Sequence, residues 1–191
     1  MNHRLIIALK RIVAAKSWER INKPIDLNEL NFDNWYAVYK DLDWTGSDPM
    51  ESLEAYWFPQ ALKEAKSFSF PLKLWRGVCD KPEDLDYQNL GVHWTWIEKE
   101  ADCYWEKQGE RIDFSNPKGH ELILATEVDR NDIDWGKTVR AWLDPEYGYL
   151  YSDPDAAESE IVLKDNIKIK INDVYDKKTG KSLNIKFDGL T

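Results

Sequence analysis

The chain of 191 residues carries 26 Lys and Arg against 35 Asp and Glu, a formal net charge of -9, which disfavours a general polyanion binder without excluding a local basic face, because non-specific nucleic-acid affinity comes from neutralising phosphates with basic side chains. Its length predicts one domain, or one domain with an N-terminal appendage, large enough to bury a core, and ten Trp and nine Tyr predict that large flat rings build much of it. Two cysteines, Cys79 and Cys103, are too few for a disulfide framework and sit in no Cys-x-x-Cys or Cys/His cluster, so a reducing compartment and no structural zinc are expected.

In chain order, Met1 to Arg11 places basic residues before a short apolar run that Lys10 and Arg11 interrupt, too early for a signal-peptide core. No apolar stretch approaches membrane-spanning length, and a soluble, cytoplasmic protein is expected. Leu5 to Trp18 reads as an amphipathic helix, with Leu5, Leu9, Ile12 and Val13 on one stripe and Lys10, Arg11 and Lys16 opposite. Pro24 to Gly46 is expected to be partly helical around Trp35, Tyr36 and Tyr39. Asp48-Pro49-Met50-Glu51 supplies a cap, a first-turn proline and a capping-box carboxylate for a helix running toward Lys66, with Pro59 as a kink or break.

From Pro71 the character changes to short strands separated by turn residues: Leu72 to Val78, Val92 to Ile97, Glu121 to Val128, Ser159 to Leu163, Ile167 to Val174 and Leu183 to Phe187. Ile167, Ile169 and Ile171 alternate with Lys168, Lys170 and Asn172, the pattern of a half-buried strand. Asp176 to Gly180 reads as a hairpin turn, and Glu98 to Lys107 as a helix. The fold class is α+β, a helical N-terminal region over residues 1–70 packed on an antiparallel core over residues 71–191, forming one compact domain.

Several chemistries are disfavoured. Gly180-Lys181-Ser182 is no phosphate loop, because position 175 is Tyr175 where a glycine is needed and no helix is expected after it. Asp153, Asp155 and Glu158 lack the glycine and distal glutamate of a calcium loop, so no metal is expected. Cys79 at a strand end reads as a small core residue rather than as a nucleophile partnered by His93. Lys164, Lys168, Lys170, Lys177, Lys178, Lys181 and Lys186 read as the solvated face of a strand pair.

Three segments carry a chemical pattern: Leu74-Trp75-Arg76-Gly77-Val78, Gly91-Val92-His93-Trp94-Thr95-Trp96, and Glu158-Ser159-Glu160-Ile161-Val162-Leu163. Side chains alternate along a strand, so Glu158 and Glu160 at i and i+2 share a face, and Arg76 is the one guanidinium on the expected strands. The set resembles the mono-ADP-ribosyltransferases of the arginine-serine-glutamate class, whose pattern is an Arg on the first core strand, Ser-x-Ser/Thr on the second and Glu/Gln-x-Glu opening a later one. The resemblance runs from Pro71 to Phe187. It departs at the second element, where His93 stands in place of the first serine and Thr95 is retained.

The resemblance implies an antiparallel split-sheet core and transfer of ADP-ribose from NAD+ to a macromolecular acceptor, with NAD+ as substrate and no metal. Breaking the nicotinamide–ribose bond leaves an oxocarbenium-like ribose, beside which an anion is worth most in the transition state. Glu160 takes that role by resemblance. Arg76, with Gly77, His93 and Thr95, binds the diphosphate or ribose, and Glu158 faces the acceptor, with protein arginine slightly favoured over a base of RNA or DNA. An intracellular toxin, antiphage effector or phage-encoded host modifier is implied, a toxin needing an antitoxin or immunity partner and no membrane. Two other classes stay open: a non-catalytic NAD-binding protein on the same fold, and a structural protein.

Overall fold

The computed structural model describes residues 24–39, 53–79, 85–86, 90–101, 106–107, 110–111, 121–143, 159–165, 167–183 and 185. The expected helix Leu5 to Trp18, the Asp48 cap, Cys103, Glu158 and the end of the strand Leu183 to Phe187 lie outside the described residues.

Helix α1 (Phe32–Tyr39) falls inside the segment expected to be partly helical. Asn31 and Asn34 cap it reciprocally: each accepts the other's backbone N–H at 3.0 Å, a capping box built from two amides. Helix α2 (Leu53–Ser67) continues through Pro59, where the sequence predicts a kink or break. Pro59 is exposed, whereas Phe58, Ala61 and Ala65 are buried. The ring therefore sits on the solvent side of the helix, while the opposite face is held by packing.

Strands β1 (Leu72–Val78), β2 (His93–Thr95), β5 (Leu122–Val128), β6 (Glu160–Val162) and β7 (Ile171–Asp176) form one antiparallel sheet in the order β6-β2-β1-β5-β7. β3 (Glu106–Lys107) and β4 (Glu110–Arg111) make a separate two-stranded hairpin. The helix expected over Glu98 to Lys107 is thus corrected: Glu98–Glu100 is a single 3-10 turn, and Glu106–Lys107 is strand. The cause is tertiary, since both carboxylates of the turn are recruited elsewhere: Glu98 accepts the Tyr175 hydroxyl and Glu100 accepts the Ser159 N–H at 3.0 Å.

β1 pairs with β5 over its whole length, from Leu72↔Val128 to Val78↔Leu122. β5 is buried at every position except Glu127, as its nearly continuous apolar run requires of a strand covered on both faces. The expected strand over Ile167 begins only at Ile171, although burial still alternates through Ile167, Lys168, Ile169 and Lys170. A register shift at Ala125/Thr126 and the Thr126 hydroxyl, which donates to the Lys170 carbonyl at 2.7 Å, take the place of the ladder there. The hairpin turn after Asp176 is present: Gly180 adopts φ 64, Gly180 N–H donates to the Asp176 carbonyl at 2.8 Å, and Tyr175 bridges Ser182. Of the expected lysine face, Lys168, Lys170, Lys178 and Lys181 are exposed. Lys177 is half-buried, which lowers its pKa.

Helix α3 (Trp135–Leu143), which is not expected from the sequence, decides how the sheet ends. Asp134 caps it, accepting the Lys137 N–H at 3.1 Å. Leu74, Trp94, Leu124, Ile161 and Val174 join α1, α2 and α3 in one hydrophobic cluster on one side of the sheet. Rings stitch it together: the Trp35 indole donates to the Gly136 carbonyl at 3.1 Å, and Phe68 contacts Trp96, Trp135 and Trp142. Cys79 is disulfide-bonded, which corrects the expectation of a free core cysteine, while its not being a nucleophile is as expected. Spacing along the chain does not decide pairing; proximity in the fold does.

Candidate active site

Directly opposed residues on neighbouring strands share a face of the sheet. The pairs Thr95↔Glu160, Trp75↔Thr95, Trp75↔Ala125 and Ala125↔Asp173 therefore place Glu160, Thr95, Trp75 and Asp173 in one row, on the face opposite the hydrophobic cluster. His93 pairs with Val162, so it lies diagonal to Glu160 on that same face. Such a diagonal is within reach of long side chains. The His93 Nδ1 and the Glu160 carboxylate accordingly form a hydrogen bond, with the His93 side chain 63% exposed and that of Glu160 only 21%.

Arg76 arrives differently. It alternates with Trp75 and has the parity of the core residue Leu74, so its side chain leaves β1 from the core face. Its Nη1 donates to the His93 backbone carbonyl. Its guanidinium rests against Gly91, where a Cβ would stand 3.2 Å from Nη2 and the backbone adopts φ 73. Any side chain at that position would be strained by the left-handed backbone and would press on the guanidinium. The Trp94 indole holds the same glycine by donating to its carbonyl at 3.2 Å. Burial lowers the Arg76 pKa, and the Glu160 charge works against that shift. The buried Nε–H has no hydrogen-bond partner among the described residues. Gly77, the other expected ligand contact on this strand, is half-buried and opposite Ile123 of β5.

Thr95 serves its own chain first. Its hydroxyl accepts the Ile97 N–H at 3.1 Å and lies 3.4 Å from the Ile97 carbonyl, closing the turn that leads into Glu98. The site thus brings His93, Thr95 and Glu160 onto one face, with Arg76 reaching the His93 backbone carbonyl from the core face, while Glu158 lies outside the described residues.

Three further residues, none of them expected from the sequence, hold the backbone of β6, one at Glu160 and two at Val162. In β6, Ser159 and Leu163 bond to the β2 side through Trp96 N–H (3.2 Å) and Val92 carbonyl (2.8 Å), so alternation turns the backbone groups of Glu160 and Val162 outward. α3 covers this sheet edge with side chains. The Trp142 indole donates to the Glu160 carbonyl at 2.6 Å, and the Thr138 hydroxyl accepts the Val162 N–H at 3.0 Å. Asp134 N–H donates to the Val162 carbonyl at 2.9 Å. Asp134, Thr138 and Trp142 are spaced i, i+4, i+8, one stripe of a helix, and that stripe is the signal a reader of the sequence could have used. On the other side Glu100 anchors Ser159, immediately before Glu160.

Chemically, the arrangement offers a guanidinium with unused donor capacity, a sheltered carboxylate and an exposed imidazole on adjoining strands. Among the described residues no group of three or more His, Cys, Asp and Glu is disposed to hold a metal ion, and no helix is long and apolar enough to cross a membrane. In comparisons with known proteins, the chain matches no family model, no curated protein and no solved structure.

Proposed function

We propose that the protein transfers ADP-ribose from NAD+ to a macromolecular acceptor, on a core of the ADP-ribosyltransferase type. The observation that carries the reading is strand order: the Arg76, His93/Thr95 and Glu160 strands, far apart in sequence, are consecutive neighbours in the sheet, β1-β2-β6. That order gathers the three motif segments at one sheet end. Glu160 stabilises the cationic ribose as nicotinamide leaves, because fixed charge in a partly dehydrated site acts most strongly where charge develops. Arg76 binds the diphosphate or ribose, for which a guanidinium fork suits better than an ammonium. The buried Nε–H of Arg76, without a partner among the described residues, is the kind of unfilled donor that a bound anion can relieve through local rearrangement. Gly77, His93 and Thr95 line the cofactor side, and Glu158 meets the acceptor, for which protein arginine is favoured over a nucleic-acid base.

The physiological setting that fits is an intracellular toxin, antiphage effector or phage host modifier, with an antitoxin or immunity protein as partner. The deciding experiment combines NAD+ binding by calorimetry with incubation of labelled NAD+ and a whole-cell lysate. Label that protease removes and nuclease spares supports a protein acceptor; the reverse supports a nucleic acid. Failure to bind NAD+ overturns the reading.

A further inference from the structure

We propose that His93 is the general base of the transfer step, an inference that rests on the transferase reading. An ionised carboxylate can only accept hydrogen bonds, so in the His93–Glu160 pair the imidazole Nδ1 must donate. Neutral imidazole then carries its lone pair on Nε2. No described residue hydrogen-bonds Nε2, and the 63% exposure of the His93 side chain leaves that end of the pair open while the Glu160 end is sheltered. The origin of the ring is fixed as well: His93 is in register with Val162, and its carbonyl accepts from Arg76. A carboxylate that orients an imidazole and stabilises its cation is the arrangement by which proteins make a histidine an effective base.

Among the described charged groups, Glu160 from β6 meets the ring itself, Arg76 from β1 meets the His93 backbone carbonyl, and Glu100 from the 3-10 turn holds the Ser159 N–H. The Glu160 carboxylate keeps two oxygens, one for Nδ1–H and one for the ribose, so the two roles do not compete.

The acceptor X–H attacks the ribose carbon and forms the new bond; the bond from that carbon to the nicotinamide nitrogen breaks, and its electron pair leaves with neutral nicotinamide. The X–H proton passes to His93 Nε2, giving an imidazolium paired with Glu160, and is then lost to water. The acceptor class is an O–H or N–H group that sheds a proton as it attacks, water included. The serine that the resemblance leads one to expect at this position could hydrogen-bond but could not take up that proton near neutral pH.

The test measures NAD+ affinity by calorimetry and nicotinamide release with water as acceptor, across pH, for wild type, His93→Ala and His93→Ser. His93 is exposed, so both variants should fold. Removing a general base should lower nicotinamide release at saturating NAD+ by roughly a hundredfold or more, whatever affinity the variant loses as a residue lining the cofactor side. Wild-type release should rise with pH to a plateau that both variants lack, and added imidazole should restore part of the His93→Ala rate. Release by His93→Ala within about threefold of wild type overturns the proposal. So does a slow His93→Ala that imidazole does not rescue and whose pH profile is unchanged. A wild type that does not bind NAD+ overturns the transferase reading and this inference together, whereas a His93→Ala variant that binds and releases normally overturns this inference alone.

Discussion

Replacing Thr138 by valine removes one hydroxyl at a fully buried position and little else. That hydroxyl accepts the Val162 N–H at 3.0 Å and lies 3.4 Å from the Val162 carbonyl. The carbonyl keeps the Asp134 N–H at 2.9 Å, but the Val162 N–H is left buried and unpartnered. An orphaned buried donor costs about 1–3 kcal/mol. That is a large part of a net stability of roughly 5–15 kcal/mol for a domain. At roughly 2–4 °C per kcal/mol for a chain of this size, Tm should fall by about 2–12 °C. Thr138→Ser keeps the hydroxyl and should lose only a buried methyl, about 1 kcal/mol. Thermal unfolding followed by circular dichroism checks both variants, and the ranking is decisive: valine worse than serine. If Thr138→Val melts within about 1 °C of wild type, or above Thr138→Ser, the inference that α3 satisfies the open edge of β6 by hydrogen bonding is wrong.

Glu160→Gln should reduce nicotinamide release by roughly a hundredfold to a thousandfold without lowering Tm, because it removes a charge that matters chiefly as the ribose becomes cationic; retention of more than about a tenth of the rate would exclude Glu160 from that role. Arg76→Lys should weaken NAD+ use despite keeping the charge, since a single ammonium cannot both serve the His93 carbonyl and present a fork to the ligand; unchanged calorimetric affinity and turnover would mark Arg76 as purely structural. Tyr175 has its pKa raised above the ordinary 10.0, first by burial and then by its hydrogen bond to Glu98. A raised folded-state pKa means the folded protein holds the proton longer than the unfolded chain, so the stabilisation is complete below the unfolded value of 10.0 and is lost as pH rises beyond it. Urea unfolding at pH 8 and above pH 10 should therefore show a larger alkaline loss for wild type than for Tyr175→Phe, and equal losses would refute the assignment.

The sequence by itself determined the strands whose pattern is local. β1 occupies the predicted Leu72–Val78, and β5 and β6 fall within one residue or two of their predicted bounds, because alternation and unbroken apolar runs are set by how each strand is buried. The turn after Asp176 was equally legible, since a glycine with positive φ and flanking polar residues suffices to make it. Helix α3 was not. Trp135, Gly136, Thr138, Val139 and Trp142 are indifferent or poor helix formers, and the helix is held by burial and by its hydrogen bonds to β6. The 3-10 turn at Glu98 reverses the same way, because Tyr175 and Ser159 claim the carboxylates that a longer helix would have left in water.

At the site the division is sharper. Arg76, His93, Thr95 and Glu160 could each be named from their segments, but nothing in the sequence states that His93 is bonded to Glu160 by its ring and to Arg76 by its carbonyl. Those contacts follow from β2 lying between β1 and β6 and from the register His93↔Val162. Shifting that register by one residue would send Glu160 to the core face, so it is long-range strand pairing that brings the imidazole and the carboxylate together.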